Sequence, residues 1–338
     1  MTTTTSHLDA HLVAVPPRVR HALVDAGFNQ VHDLCHLSAA DLAREVGVAP
    51  EEAQAVIDLA KAKAVGAYLG SAVEFRTALD LYENPPARIP LGVPRLDASM
   101  GGGVRAGQVT EICGPPGAGK TQISMLLAAT AIASRPDGGV LYIDTEGSFV
   151  PERVEEIARG ILPAADGGRN NATNNGVSAR ELLSRIEYVR VHSQVEQLAL
   201  VSDLESHLEA RANIGLVILD SIAFHLRAGQ GGDAASEREK KQHALAKMFQ
   251  TLTSLARRRS CAVWVTNHIT VRRIGEDGAK IVPALGDLWS HVPADRFFVY
   301  NNDDFRGLLL HKSPSSPQVL VNLDEELPLV FGRPTPPQ

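Results

Sequence analysis

The chain has few cysteines, few aromatic residues and no excess of positive charge. Its three cysteines, Cys35, Cys113 and Cys261, stand far apart. That spacing encodes neither a disulfide framework nor a zinc site, and it fits a reducing compartment. No apolar run approaches the roughly 20 residues of a membrane-spanning helix. Met1 to Ser6 is threonine-rich where a secretory leader would be basic and then apolar, so neither membrane nor secretion is expected. The formal net charge is -6. A protein this acidic is no bulk nucleic-acid binder, and any DNA contact must come from local basic patches. What remains is a globular composition, 44% hydrophobic over 338 residues, enough for one large domain and a small one.

The stretch Gly114-Pro115-Pro116-Gly117-Ala118-Gly119-Lys120-Thr121 reads G-x-x-x-x-G-K-T. An apolar strand pattern (Gln108 to Cys113) precedes it and a helical pattern (Gln122 to Ala129) follows, which is the setting a phosphate-binding loop needs. Glycines let backbone N–H groups turn inward around phosphate oxygens, and the next helix points its positive end at the same anion. The expectation is ATP with Mg²⁺, Lys120 reaching the β- and γ-phosphates and Thr121 placing its hydroxyl on the metal. Two further apolar runs end in acids, Gly139 to Asp144 followed by Thr145-Glu146-Gly147, and Leu216 to Asp220. Carboxylates at the carboxyl edge of a buried parallel sheet face the ligand crevice. Glu146 is the candidate that orients and deprotonates the attacking water, and Asp220 the one that holds Mg²⁺ through water. With Cys261 to Asn267 as another strand and helical stretches between (152–160, 179–187, 196–210, 237–259), the pattern is a twisted, mainly parallel α/β sheet. From Ala294, short strands (296–301, 308–312, 318–323) joined by polar turns predict an antiparallel extension. Residues 164–177 and 228–235 read as polar or glycine-rich loops.

Ahead of this core, residues 1–68 read as short helices broken by Gly27 and Gly47, with Ser38 as an N-cap and Pro50 opening the last helix. Residues 1–80 carry six Lys/Arg against ten Asp/Glu, which favours protein contact over direct DNA binding. Residues 69–94 read as a linker, 95–325 as the core and 326–338 as a proline-rich tail. Within the linker, Phe75-Arg76-Thr77-Ala78 is an F-x-x-A tetrad, able to bury Phe75 and Ala78 in a neighbouring subunit while extending its sheet.

Taken in order, the helical lobe, the F-x-x-A linker, Gly101-Gly102-Gly103, GPPGAGKT, YIDTEGSF, LVILDS and TNHIT resemble the RecA superfamily of DNA recombinases over about residues 12–325. The fold this implies is a RecA-like P-loop ATPase core behind a helix-hairpin-helix-like lobe. The wording is most similar to the C-type paralogs of the eukaryotic recombinase, as in Thr110-Glu111-Ile112-Cys113-Gly114 and Val282-Pro283-Ala284-Leu285-Gly286. The resemblance implies a nuclear, ATP-dependent mediator of homologous recombination, a slow DNA-dependent ATPase. Its partners would be other recombinase paralogs in a hetero-oligomer, the recombinase filament and single-stranded DNA. A self-polymerising strand-exchange recombinase and an ATP-stapled structural adaptor are the alternatives. By resemblance, Gln122 belongs to the nucleotide loop and Arg153 stacks on adenine. His268 stands where a glutamine usually senses the γ-phosphate. Lys312 to Pro317 matches a cap over the ATP of the adjacent subunit, with Lys312 in place of an aspartate. The DNA loops would be residues 227–241, with Arg227, Arg238, Lys240 and Lys241, and residues 269–283, with Arg272, Arg273 and Lys280. Each nets about +1 and neither holds an aromatic residue, so phosphate contact rather than base stacking is expected.

Overall fold

The computed structural model describes residues 15–28, 34, 37–69, 77–135, 137–161, 178–227, 235–274, 278–302 and 304–331. The chain divides into two compact units, Met1–Asp80 and Leu81–Gln338. No helix among the described residues is long and apolar enough to cross a membrane.

The first unit is helical: α1 (Pro17–Asp25), α2 (Ala39–Val46) and α3 (Pro50–Leu69). The Ser38 hydroxyl accepts the Asp41 N–H at 3.1 Å, capping α2 as its sequence predicts, and Gly47 ends it with φ 73°. Val19, Leu23, Leu34, Leu42, Val56 and Ile57 form its buried core. The division between units falls inside α4 (Ala78–Glu83).

The second unit is a three-layer α/β domain. It comprises β1 (Arg88–Ile89), α5 (Pro94–Ser99), β2 (Val104–Arg105), β3 (Val109–Cys113), α6 (Lys120–Ser134), β4 (Gly139–Asp144), α7 (Pro151–Ile161), α8 (Ala179–Ser184), β5 (Ile186–Arg190) and α9 (Gln194–Glu209). Then come β6 (Ile214–Asp220), α10 (Phe224–Arg227), α11 (Ala235–Arg259), β7 (Ala262–Asn267), the hairpin β8 (Ile269–Ile274) and β9 (Gly278–Pro283), and α12 (Gly286–Ser290). The unit closes with β10 (Asp295–Asn301), β11 (Arg306–Lys312), β12 (Val319–Asn322), α13 (Leu323–Glu326) and α14 (Pro328–Phe331). Eight strands form one sheet in the order β12-β11-β10-β3-β7-β6-β4-β5. From β10 to β5 all pairings are parallel; β11 and β12 add on antiparallel. The antiparallel extension therefore begins one strand later than its turns suggest, because β10 follows a long crossover and pairs with β3.

Side-chain alternation divides the apolar residues between two faces. Val140 and Tyr142 join α6 on one face, while Leu141 and Ile143 join α9 and α11 on the other. Helix α6 is buried from Ile123 to Ile132, which explains why it is apolar all round.

Three sequence boundaries shift. Residues 88–94, expected as linker, belong to the core: Leu91 and Val93 are buried, and the Asp97 carboxylate accepts the N–H groups of Leu91 and Gly92 at 2.7 and 3.0 Å. The tail expected from residue 326 begins as structure, since Leu327, Val330 and Phe331 enter the core beside α6 and α7. The helix expected over 179–187 stops at Ser184, and the edge strand β5 takes over from Ile186. The loop expected at 164–177 lies outside the described residues, as does the one expected at 228–235 except for Ala235, which opens α11.

Candidate nucleotide site

Strands β3, β4 and β6 end together at the carboxyl edge of the sheet, and each hands over a polar group just beyond its last apolar residue. After β3 the chain enters the glycine loop. Gly117 and Gly119 adopt φ 75° and 106°, conformations that turn the loop into α6. The buried Lys120 bridges that loop, its Nζ donating to the carbonyls of Gly114 at 3.0 Å and Pro115 at 2.9 Å. Burial lowers the Lys120 pKa, and Glu146 and Asp220 oppose that shift. Thr121, on the first turn of α6, has its hydroxyl 3.5 Å from that of Ser148.

At the end of β4, the fully buried Asp144 accepts backbone N–H bonds from Glu146, Gly147 and Phe149 at 2.9, 2.7 and 3.1 Å. It thereby fixes the turn that presents Glu146. Glu146 Oε1 accepts from Ser221 Oγ at 2.6 Å and from His268 Nε2 at 3.0 Å. Among the described residues both partners lie on Oε1, which leaves Oε2 for a water. The His268 bond is the largest cause holding the Glu146 carboxyl below its ordinary value. At the end of β6, Asp220 accepts from the Tyr142 hydroxyl at 2.8 Å and from Thr266 Oγ1. Burial pushes its pKa upward, and these hydrogen bonds pull it back. Lysine, threonine and two acids at neighbouring strand ends, beside a left-handed glycine loop, make a donor set that fits a triphosphate with a hard divalent cation.

Behind this cluster lies a second buried charge. Glu111 on β3 pairs with Arg296 on β10, and its other oxygen accepts from Trp289 Nε1 and from Asn267 Nδ2 at 2.7 Å. Asn267 also donates to Ala284 O at 3.0 Å, tying the strand that carries His268 to the base of the β8–β9 hairpin.

The remaining sequence candidates divide. Gln122 and Arg153 come together, Arg153 Nε donating to Gln122 Oε1 at 2.8 Å. Lys312 is half-buried, and its ammonium donates within its own unit to Ser290 O at 3.3 Å and Pro293 O at 2.7 Å; Pro317 is exposed. Ala78 is exposed on α4, and Phe75 lies outside the described residues. Arg238, Lys240 and Lys241 fall on α11 rather than in a loop, and Arg227 ends α10; their side chains, like that of Arg273, lie outside those described. The second expected loop is the β8–β9 hairpin, where Arg272 and Lys280 are cross-strand partners. Both are exposed, and with Asp287, Arg296, Phe298 and His311 they line a cavity of about 430 Å³. Burial, then Arg296 and Lys280, lowers the His311 pKa, a sign of the positive field there. Sequence reasoning assigned no role to Asp144, Ser221, Tyr142 or Thr266. The only signal was position, since each sits at or beside the carboxyl end of a strand.

The sheet order, the glycine loop and the acids at the adjoining strand ends define a P-loop ATPase domain of the RecA kind. Residues 87–319 match the Rad51 family. The chain is also 33% identical over 334 residues to the DNA repair protein RAD51 homolog 3 of Cricetulus griseus, covering 93% of this chain and 90% of that protein. The chain belongs to the Rad51 family.

Proposed function

We propose that this chain is an ATP- and Mg²⁺-dependent mediator of homologous-recombination repair, a recombinase paralog that works in the nucleus with related subunits on single-stranded DNA. The observation that carries the nucleotide reading is the convergence of Lys120, Thr121, Glu146 and Asp220 at one edge of the sheet. When bound, Mg·ATP supplies the phosphoanhydride whose cleavage drives the cycle. Lys120 would neutralise phosphate charge, Thr121 and Asp220 would hold the cation (Asp220 through water), and Glu146 would orient a water from Oε2 and take its proton. His268, bonded to the same carboxylate, stands one residue before the β8–β9 hairpin, so a change at Glu146 has a short path to Arg272 and Lys280. Those two cations suit a phosphate backbone and salt-sensitive, sequence-independent contact. Phe75 and Ala78 are the proposed anchor on a neighbouring paralog, consistent with the similarity to a protein named as a RAD51 homolog.

The test is Mg·ATP binding by the Lys120→Ala variant, followed with a fluorescent ATP analogue. Loss of a buried charged donor is expected to weaken binding by about tenfold or more. Undiminished affinity sinks the P-loop assignment. Mass photometry with Mg·ATP and single-stranded DNA addresses the mediator reading. Small species that do not grow along DNA support it, and long ATP-dependent filaments of the pure chain replace it with a self-polymerising recombinase.

A further inference from the structure

Arg153 on α7 uses three nitrogens at once: Nε to Gln122 Oε1 at 2.8 Å, Nη1 to Glu156 Oε2 at 2.7 Å and Nη2 to the main-chain carbonyl of Val330 at 2.7 Å. Hydrogen bonds to a guanidinium lie in its plane. Held by its edges from three directions, the group keeps one orientation, and none of the three bonds occupies a face of its plane. One of the three partners, Gln122, is on the first turn of the helix that follows the glycine loop. Another, Val330, lies 177 residues along the chain from Arg153.

Val330 belongs to α14, which is anchored against the glycine loop. Phe331 is buried, and a Cβ added to Gly119 would meet its Cε1 at 3.0 Å. The Arg306 guanidinium lies over the Phe331 ring, 4.8 Å from the centroid. The turn thus touches the phosphate loop through Phe331 and Arg153 through Val330. No side chain of the triphosphate cluster contributes to this arrangement.

We infer that the C-terminal turn Pro328–Phe331 is a positioning element for the nucleobase, holding Arg153 in the plane that stacks a purine and so making binding depend on the base as well as on the phosphates. This rests on the nucleotide reading above. The phosphates are read by the glycine loop and strand ends, and the base by Gln122, Arg153 and the turn.

The experiment compares Mg·ATP with inorganic tripolyphosphate plus Mg²⁺ on the full chain and on its Phe331→Ala and Phe331→Leu variants. Phe331→Ala is expected to weaken ATP by about tenfold and tripolyphosphate by less than about twofold, and Phe331→Leu to recover most of the ATP loss. A merely structural role would move both ligands together, so equal losses, or no loss for ATP, overturn the inference. The unaltered chain supplies a check free of folding defects. Amide hydrogen exchange over residues 328–331 should slow with ATP and not with tripolyphosphate. Equal protection by both, or by neither, overturns it too. If tripolyphosphate fails to bind the unaltered chain while ATP binds, the phosphate-loop reading is at fault instead.

Discussion

At the proposed triphosphate end of the crevice the acids and their polar partners stand on a buried strand or one or two residues past it: Glu111 on β3, Asp144 on β4 and Glu146 after it, Asp220 on β6 and Ser221 after it, Asn267 on β7 and His268 after it. At the proposed base end, Arg153 stands on a peripheral helix with a side chain 27% exposed, and it takes its bearing from α14. The first end is over-determined. Removing one group there strands others inside a sheet whose neighbours cannot move. The second end is assembled from a helix and the turn Pro328–Phe331, and it can lose a contact without loss of the fold. The difference predicts a ranking of effects.

The largest belongs to Glu111. It is wholly buried, and its carboxylate serves Arg296, Asn267 and Trp289 together. Glu111→Leu leaves the Arg296 charge buried and unpaired, and should cost about 3–5 kcal/mol in chemical denaturation. Adding Arg296→Met should restore most of that, because replacing both partners by apolar groups removes the stranded charge. A single variant as stable as the parent would mean that water reaches this part of the sheet, and the contrast between the two ends would fail.

A smaller, pH-resolved effect is expected at Glu146. Its carboxyl is held below the ordinary 4.5, first by the His268 hydrogen bond, against burial, with help from Ser221 and Lys120. A depressed acid pKa stabilises the fold above the ordinary value, and that contribution is lost as pH falls through the depressed one. His268→Ala removes the leading cause, so the Glu146 pKa should rise toward 4.5 or beyond, burial then being less opposed. Carboxyl-carbon NMR of labelled glutamate reads this directly. An unmoved titration would show that Ser221 and Lys120 hold the carboxylate without His268, and that His268 is free to serve the hairpin.

The two ends also differ in how far the sequence reveals them. The glycine loop, Glu146 and Asp220 are legible because each chemical group follows an apolar run within three residues, and local order alone puts them at the strand ends. The parallel core was legible for the same reason. The hairpin was not: Ile269-Thr270-Val271 and Ala279-Lys280-Ile281-Val282 are short, and the charged and glycine residues between them look like a loop until they pair. Strand β5 hid behind the helical pattern of Ala179 to Glu187. The role of the C-terminal turn was the least legible of all. Val330 acts through a main-chain carbonyl, which carries no residue signature, and Phe331 reads as a stray apolar residue ahead of a proline-rich end. Contacts that distant in sequence are fixed by packing, and no window of the chain contains both partners.

The smallest effect isolates what matters at the base end. Of the three bonds to Arg153, the one to Glu156 joins side chains at spacing i,i+3 on a surface helix, and the Glu156 side chain is 60% exposed. Pairs of this kind contribute about 0.2–0.5 kcal/mol. The bonds to Gln122 and to the Val330 carbonyl are part-buried and come from two other elements, so they suffice to fix the guanidinium plane. Glu156→Ala should therefore change stability by less than about 1 kcal/mol and ATP affinity by less than about threefold. Isothermal titration with Mg·ATP measures the second quantity. A loss as large as that expected of Phe331→Ala would mean that the plane of Arg153 hangs on an exposed ion pair, and raising the salt concentration would then weaken ATP by the same route.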